Sequence, residues 1–265
     1  MERQYDNIFK RHSTRMYNME PLDEKSLDRV REIIEDPPNL FEGLKVSFTL
    51  IEDGQEFSEK SSGIIGAYSK VKAPHFLVLT VEEKPGYRQA SGYSLAHVVL
   101  LLNDLGIGTC ITYPNMDNSV ILKYMDIKEG DVPLLFIAFG TPLNPIELYQ
   151  KIDPSKRRLL KDLIVQGPVK RKYKYILEAA RLAPSSFNTQ PWRFAVDNNK
   201  IHILRIKLGF IKNKLFSSSN KIDMGIALAF MIISLKAKGM KFKLLKENLP
   251  YENLEYMITI EINDI

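Results

Sequence analysis

The sequence predicts an α+β fold: two degenerate tandem repeats in which helices pack on mixed β-sheets. Helical and extended patterns are interleaved without the regular alternation of a doubly wound parallel sheet. One order, helix–strand–strand–apolar helix–strand–strand, occurs twice along the chain. The two apolar helices also match in detail: Gly92 and Gly225 each lie fourteen residues before a closing glycine, Gly106 and Gly239, and Leu95-Ala96 and Leu228-Ala229 share one offset. Pro38, Phe41 and Phe48 fall at a constant offset from Pro184, Phe187 and Phe194.

Element by element, "SLDRVREII" has Leu27, Val30, Ile33 and Ile34 at helical spacing, and Pro37-Pro38 stops it. "LKVSFTLI" alternates as a half-buried strand does, and "HFLVLTV" reads as a fully buried one. "SGYSLAHVVLLLNDLG" is an apolar helix closed by Gly106 at the left-handed position past its end. "GTCITY" and "PLLFIAF" are the remaining strands of the first half. In the second half "KYKYILEAARL" is a helix stopped at Pro184, and "WRFAV" and "IHILRI" are strands. "DMGIALAFMIISLKAKG" is an apolar helix ending at Gly239, and the strands "KFKLL" and "YMITIEI" follow. The expected organisation is 1–141 as the first half, 142–169 as a basic connector and 170–265 as the second half, together forming one compact unit.

Composition excludes several classes. The chain has 265 residues, 45% hydrophobic and 26% charged, which suits a globular protein able to bury a sizeable core. A net charge of +5 is too small to argue for nucleic acid. One cysteine, Cys110, rules out an internal disulfide framework. No signal-like apolar segment opens "MERQYDNIFKRHSTRMY", and the run Met224 to Leu235 is too short to span a bilayer, so a buried helix and a cytoplasmic protein without membrane contact are expected. His12, His75, His97 and His202 show no ligand spacing, so no metal is expected. His97 reads as a core residue, Cys110 as an inert buried thiol and Trp192 as a core anchor.

The halves differ in two polar stretches. "KRHSTR" places Arg11, His12, Ser13 and Arg15 within five residues, a set that suits a phosphate through guanidinium forks and a hydroxyl. On its residues alone it reads rather as a solvated N-terminal arm. "PSSFNTQPW" offers hydroxyls and amides that donate and accept without charge, as the polar edge of a heterocycle would require, or else simply stops a helix.

Together, "RHSTR", "APSSFNTQPWRF", "LGIGTC" and "LLFIAFGTP" followed by "KRR" resemble the signatures of nitroreductase-like FMN oxidoreductases. The resemblance covers most of the chain. It points to the fused subset of that family, in which one chain mimics the usual homodimer, builds one FMN site and is a monomer. It implies that Arg11, His12, Ser13 and Arg15 hold the phosphate and ribityl end, with Lys156 and Arg158 closing over the phosphate from the same side. Pro184, Ser185, Ser186 and Asn188 would line the flavin from the opposite half, and Gln190 would fix the loop or reach the ring edge. The strand after "GIGTC" would run along the ring through Thr112, Tyr113 and Asn115. The implied activity is electron transfer from NAD(P)H to an electron-poor small molecule such as a nitroaromatic or a quinone, with FMN and not a side chain as the catalytic group. One departure is Tyr113-Pro114, where relatives carry Gly-Gly and a backbone N–H for the flavin; proline has none. An FMN carrier without turnover is the alternative this departure leaves open.

Overall fold

The structure is a computed structural model and describes residues 2–61, 71–113, 118–148, 156–247 and 249–263. Helix α1 (Glu2–Lys10) opens the chain, and α2 (Glu24–Glu35) follows, capped by Asp23, whose carboxylate accepts from Ser26 N at 2.7 Å. Strand β1 (Val46–Ile51), helix α3 (Gly54–Ser61) and strand β2 (His75–Glu82) lead into α4 (Tyr87–Asp104). Strand β3 (Gly108–Thr112), the short α5 (Asn118–Ile121) and β4 (Asp131–Gly140) complete this stretch. After the connector come α6 (Leu160–Leu163), β5 (Ile164–Gln166), α7 (Lys174–Arg181), β6 (Trp192–Asp197), β7 (Lys200–Ile206), α8 (Phe210–Ala237), β8 (Lys241–Leu245) and β9 (Leu254–Asn263).

Two compact units result: Lys10–Ile152, and Asp153–Ile265 together with Met1–Phe9. The first holds a four-stranded antiparallel sheet in the order β1-β2-β4-β3. The second holds β5-β6-β7-β9-β8, in which the connector strand β5 pairs parallel with β6 and the rest is antiparallel. Without β5 the two sheets have the same strand order, and each carries a long apolar helix between its second and third strands. The α+β architecture, with helices packed on mixed sheets, is therefore as the sequence predicts.

Burial explains the strand patterns. β1 alternates in burial, whereas β2 is buried on both faces. Phe76 and Val78 of β2 belong to a cluster built around Phe57 of α3, whose ring lies 5.1 Å from those of Phe76 and Phe136. Leu77 and Leu79 point the other way, and both are fully buried. The long helices end alike. Gly106 N donates to Asn103 O and Ile107 N to Leu102 O, while Gly239 N donates to Lys236 O and Met240 N to Leu235 O, all at 3.0 Å. Both glycines have positive φ, so each helix closes with the paired bonds that favour glycine.

Three differences from the sequence reading matter. Helix α1, to which the sequence reading assigned no element, packs in the second unit through Ile8 and through Tyr5, whose ring faces Lys238. Helix α3 lies between two predicted strands, in a stretch to which the sequence reading assigned no element. Helix α8 begins at Phe210, well before the expected start at Asp223, and so absorbs the Ser-rich stretch. Extending an existing helix costs far less than starting one, so the apolar part carries the polar part with it. Within α8, 22 residues from Phe216 to Ala237 are long and apolar enough to cross a membrane, but 89% of that window is buried inside the protein. Cys110, His97 and Trp192 are core residues, as expected.

Candidate functional site

In the first unit the Arg11–Arg15 stretch is built into the structure. Ser13 forms a parallel bridge with Thr109, and Thr14 N donates to Thr109 O at 3.0 Å. Further on, Tyr17 bridges Pro142, Asn18 N donates to Thr141 O at 2.9 Å and Leu143 N to Met16 O at 3.0 Å. The segment therefore covers the outer edge of β3 and then the end of β4. The Tyr17 hydroxyl reaches Thr14 O at 2.7 Å and Ala138 O at 3.0 Å, locking the turn. Gly108 makes this approach possible: a Cβ there would lie 2.5 Å from Thr14 Oγ1 and 2.9 Å from Pro142 Cγ.

This anchoring displays the polar groups. Arg11 is buried, His12 and Ser13 are half-buried and Arg15 is exposed. Burial raises the Cys110 thiol, and the nearby Arg15 and Arg11 oppose that rise, so both cations lie at the β3 edge. Among the described residues the Ser13 hydroxyl has no protein partner, and the buried Thr14 Oγ1 has none. Thr112 is buried, with its hydroxyl 3.5 Å from Phe136 O, and Tyr113 is exposed. Pro114 and Asn115 lie outside the described residues.

In the second unit Pro184–Gln190 is a rigid loop between α7 and β6. A single turn of 3-10 helix covers Ser186–Asn188, and Phe187, Asn188 and Gln190 all have positive φ, at 50°, 55° and 47°. Left-handed backbone at non-glycine residues costs on the order of 1 kcal/mol or more each, so the surroundings must hold it. They do so from two sides. From α8, the Asp223 carboxyl accepts from Ser186 N with both oxygens at 3.1 Å, and Asn220 Oδ1 accepts from Thr189 Oγ1 at 3.0 Å. Within the loop, Gln190 N donates to Ser185 Oγ at 3.0 Å.

The other support is the basic cluster. Asn188 Nδ2 donates to Lys156 O at 2.9 Å, and Asn188 Oδ1 accepts from Arg157 Nη1 and Gln190 Nε2, both at 3.0 Å. Gln190 Oε1 accepts from Arg158 N at 2.8 Å. Gln190 is buried, and its amide fixes the loop to the cluster. The resemblance groups Lys156 and Arg158 with Arg11–Arg15; the structure instead ties their backbone to the Ser185–Gln190 loop. Arg157, which is not among the residues the resemblance names, is the cation whose side chain touches the loop. The sequence singled out neither Asn220 nor Asp223, which reads there only as the first residue of the apolar helix.

Charge accumulates here. Burial lowers the Arg157 guanidinium below its ordinary range, with Arg181 adding to the effect. Burial and then Arg158 lower Arg193. Arg181 is paired with Glu178, whereas the Lys156 ammonium and the Arg158 guanidinium have no acidic partner among the described residues. Opposed like charges beside a polar loop suit an anionic ligand. No group of three or more His, Cys, Asp or Glu able to hold a metal occurs among the described residues.

A family model described as "Putative TM nitroreductase" matches residues 4–234. The chain belongs to this nitroreductase family. A solved Thermotoga maritima structure, itself described as a putative nitroreductase, is 17% identical, with a TM-score of 0.63 over 98% of this nitroreductase-family chain and 94% of its own. At that identity the likeness is one of fold. Shorter proteins also match: a putative NADH dehydrogenase/NAD(P)H nitroreductase from Bacteroides thetaiotaomicron, 20% identical over 59% of this chain and 96% of its own, has a TM-score of 0.45. An FMN-dependent nitroreductase from Clostridium difficile, 19% identical over 60% of this chain and 98% of its own, has a TM-score of 0.44. No curated protein matches the chain.

Proposed function

We propose that this nitroreductase-family chain binds FMN and works as an NAD(P)H-dependent oxidoreductase on an electron-poor small molecule such as a nitroaromatic or a quinone. The observation that carries the reading is the Ser185–Gln190 loop, held in a strained left-handed conformation and displaying neutral donors beside Lys156 and Arg158, which lack acidic partners among the described residues. A purely structural helix stop would need neither the strain nor the charge. The residues present fit the cofactor. In the first unit the Ser13 hydroxyl has no protein partner among the described residues and Arg11 and Arg15 supply charge suited to a phosphate; in the second the Ser186 hydroxyl has none either, and Lys156 and Arg158 lie by its loop.

When bound, FMN supplies the hydride and electron chemistry. The chain's own groups then have distinct tasks. Arg11, Ser13 and Arg15 bind phosphate and ribityl oxygens. Ser185 holds the loop through Gln190 N, which leaves the Ser186 hydroxyl to meet the ring's polar edge. Asn188 and Gln190 keep loop and basic cluster in register and do not themselves need to touch the ligand. The shared strand order of the two units supports an internal duplication, and with it a monomer holding one FMN per chain.

The test is reconstitution followed by desalting. One FMN should remain per chain, and its absorbance should bleach anaerobically on addition of NADH or NADPH. Ser13→Ala with Arg15→Ala, and separately Asn188→Ala, should each weaken that binding about tenfold, the usual scale for losing a ligand contact or its support. Protein that stays colourless would refute the flavin reading. Because Pro114 removes a backbone donor, a carrier without turnover is the second reading, and yellow protein that neither nucleotide bleaches would select it.

A further inference from the structure

We propose that Asp223, inside helix α8, is the positioning residue that sets the Ser185–Gln190 loop in its ligand-binding conformation. The inference rests on the FMN reading and names what prepares that loop. Asp223 is 2% exposed and Asn220, one turn earlier, is 0% exposed, so both are core polar groups aimed at the loop. Asp223 takes Ser186 N on both oxygens at 3.1 Å, at the start of the turn containing Phe187 and Asn188.

The hydrogen count completes the clamp. Thr189 has one hydroxyl proton, and it goes to Asn220 Oδ1 at 3.0 Å. Burial pushes the Asp223 carboxyl well above the ordinary carboxylate range. On the neighbouring α7, Glu178 and Arg181 pair with each other. Asp223 and Asn220 together thus grip the loop at Ser186 and Thr189, on either side of two left-handed residues.

The first unit supplies an internal control. Counted back from the closing glycines, the helix positions corresponding to Asp223 and Asn220 are Ala90 and Tyr87 on α4. The loop corresponding to Ser185–Gln190 has no non-glycine residue at positive φ, and its Phe41 lies beside Gly86 instead. The polar pair occurs where the strained loop occurs, and is lacking where it is not.

The test uses the full chain as wild type, Asp223→Asn and Asp223→Ala. Hydrogen exchange at the Ser186 and Thr189 amides is read without FMN, and FMN affinity by quenching of flavin fluorescence. Asp223→Ala should speed exchange and weaken FMN binding about tenfold, whereas Asp223→Asn, which keeps an acceptor and a donor, should stay within about threefold of wild type. If Asp223→Ala does not fold, Thr189→Val, which removes the loop end of the clamp, takes its place with the same expected losses. Wild-type affinity in the Ala (or Val) variant, or an Asn variant as damaged as the Ala one, would overturn the proposal. Failure of the wild type to take FMN would sink the functional reading alone, because the exchange comparison still reads the clamp.

Discussion

At the scale of single residues, the core is held by polar groups whose protonation state is set by their partners. His75 Nδ1 donates to Glu52 O at 2.7 Å, and its Nε2 accepts from Leu22 N at 2.9 Å. Only the neutral ring can do both. Burial accordingly lowers the His75 pKa, and burial does the same at His202, where Glu247 opposes it. With the folded pKa depressed, the stabilisation is present above the ordinary value of about 6.5 and is lost as pH falls through the folded value. An NMR titration of the His75 ring should give a midpoint below that ordinary value, and the urea midpoint should fall between neutral pH and pH of about 5. A pH-independent urea midpoint over that range would contradict the assignment. These roles were not legible in the sequence, where His75 and His202 showed only that they lack ligand spacing.

At the scale of elements, the edge of β3 shows how a motif becomes a site. The "RHSTR" residues were visible as a phosphate-like set, but on their own they read rather as a solvated arm. What separates the two is the bridge from Ser13 to Thr109, made possible by Gly108. Gly108→Ala should destabilise the protein by about 1–3 kcal/mol, as overpacking does, since Thr14 and Pro142 leave a Cβ no room. Chemical denaturation of the variant checks this, and a loss under about 0.5 kcal/mol, the range of surface substitutions, would show that the segment yields. The Ser185–Gln190 loop repeats the lesson. Its hydroxyls and amides were readable as neutral donors, yet which of them is left for a ligand depends on Asp223, Asn220 and Arg157, and no spacing in the chain links these to it.

At the scale of the whole molecule, the chain's path between its units departs from its repeat pattern. The repeat suggests a first half ending near 141, but the contacts place residues 1–9 with 153–265. Ile8 is 1% exposed, and α1 buries it in that unit. Deleting residues 2–9 should therefore speed hydrogen exchange in α7 and in the C-terminal turn of α8, with little change in the β1-β2-β4-β3 sheet. Faster exchange confined to that sheet would contradict the partition. Burying one large aliphatic side chain contributes roughly 1.5–3 kcal/mol, enough for the effect to be measured.

By itself the sequence determined what depends on local pattern: alternating strands, the apolar helices with their closing glycines, and the twofold order of elements. These are legible because side-chain period and backbone freedom act over a few residues. Tertiary structure alone decided where α1 packs, how far α8 extends, which loop the basic cluster grips and which buried carboxyl holds that loop. Each depends on groups distant in the chain, and burial, hydrogen bonding and charge act through space without leaving a periodic trace in the sequence.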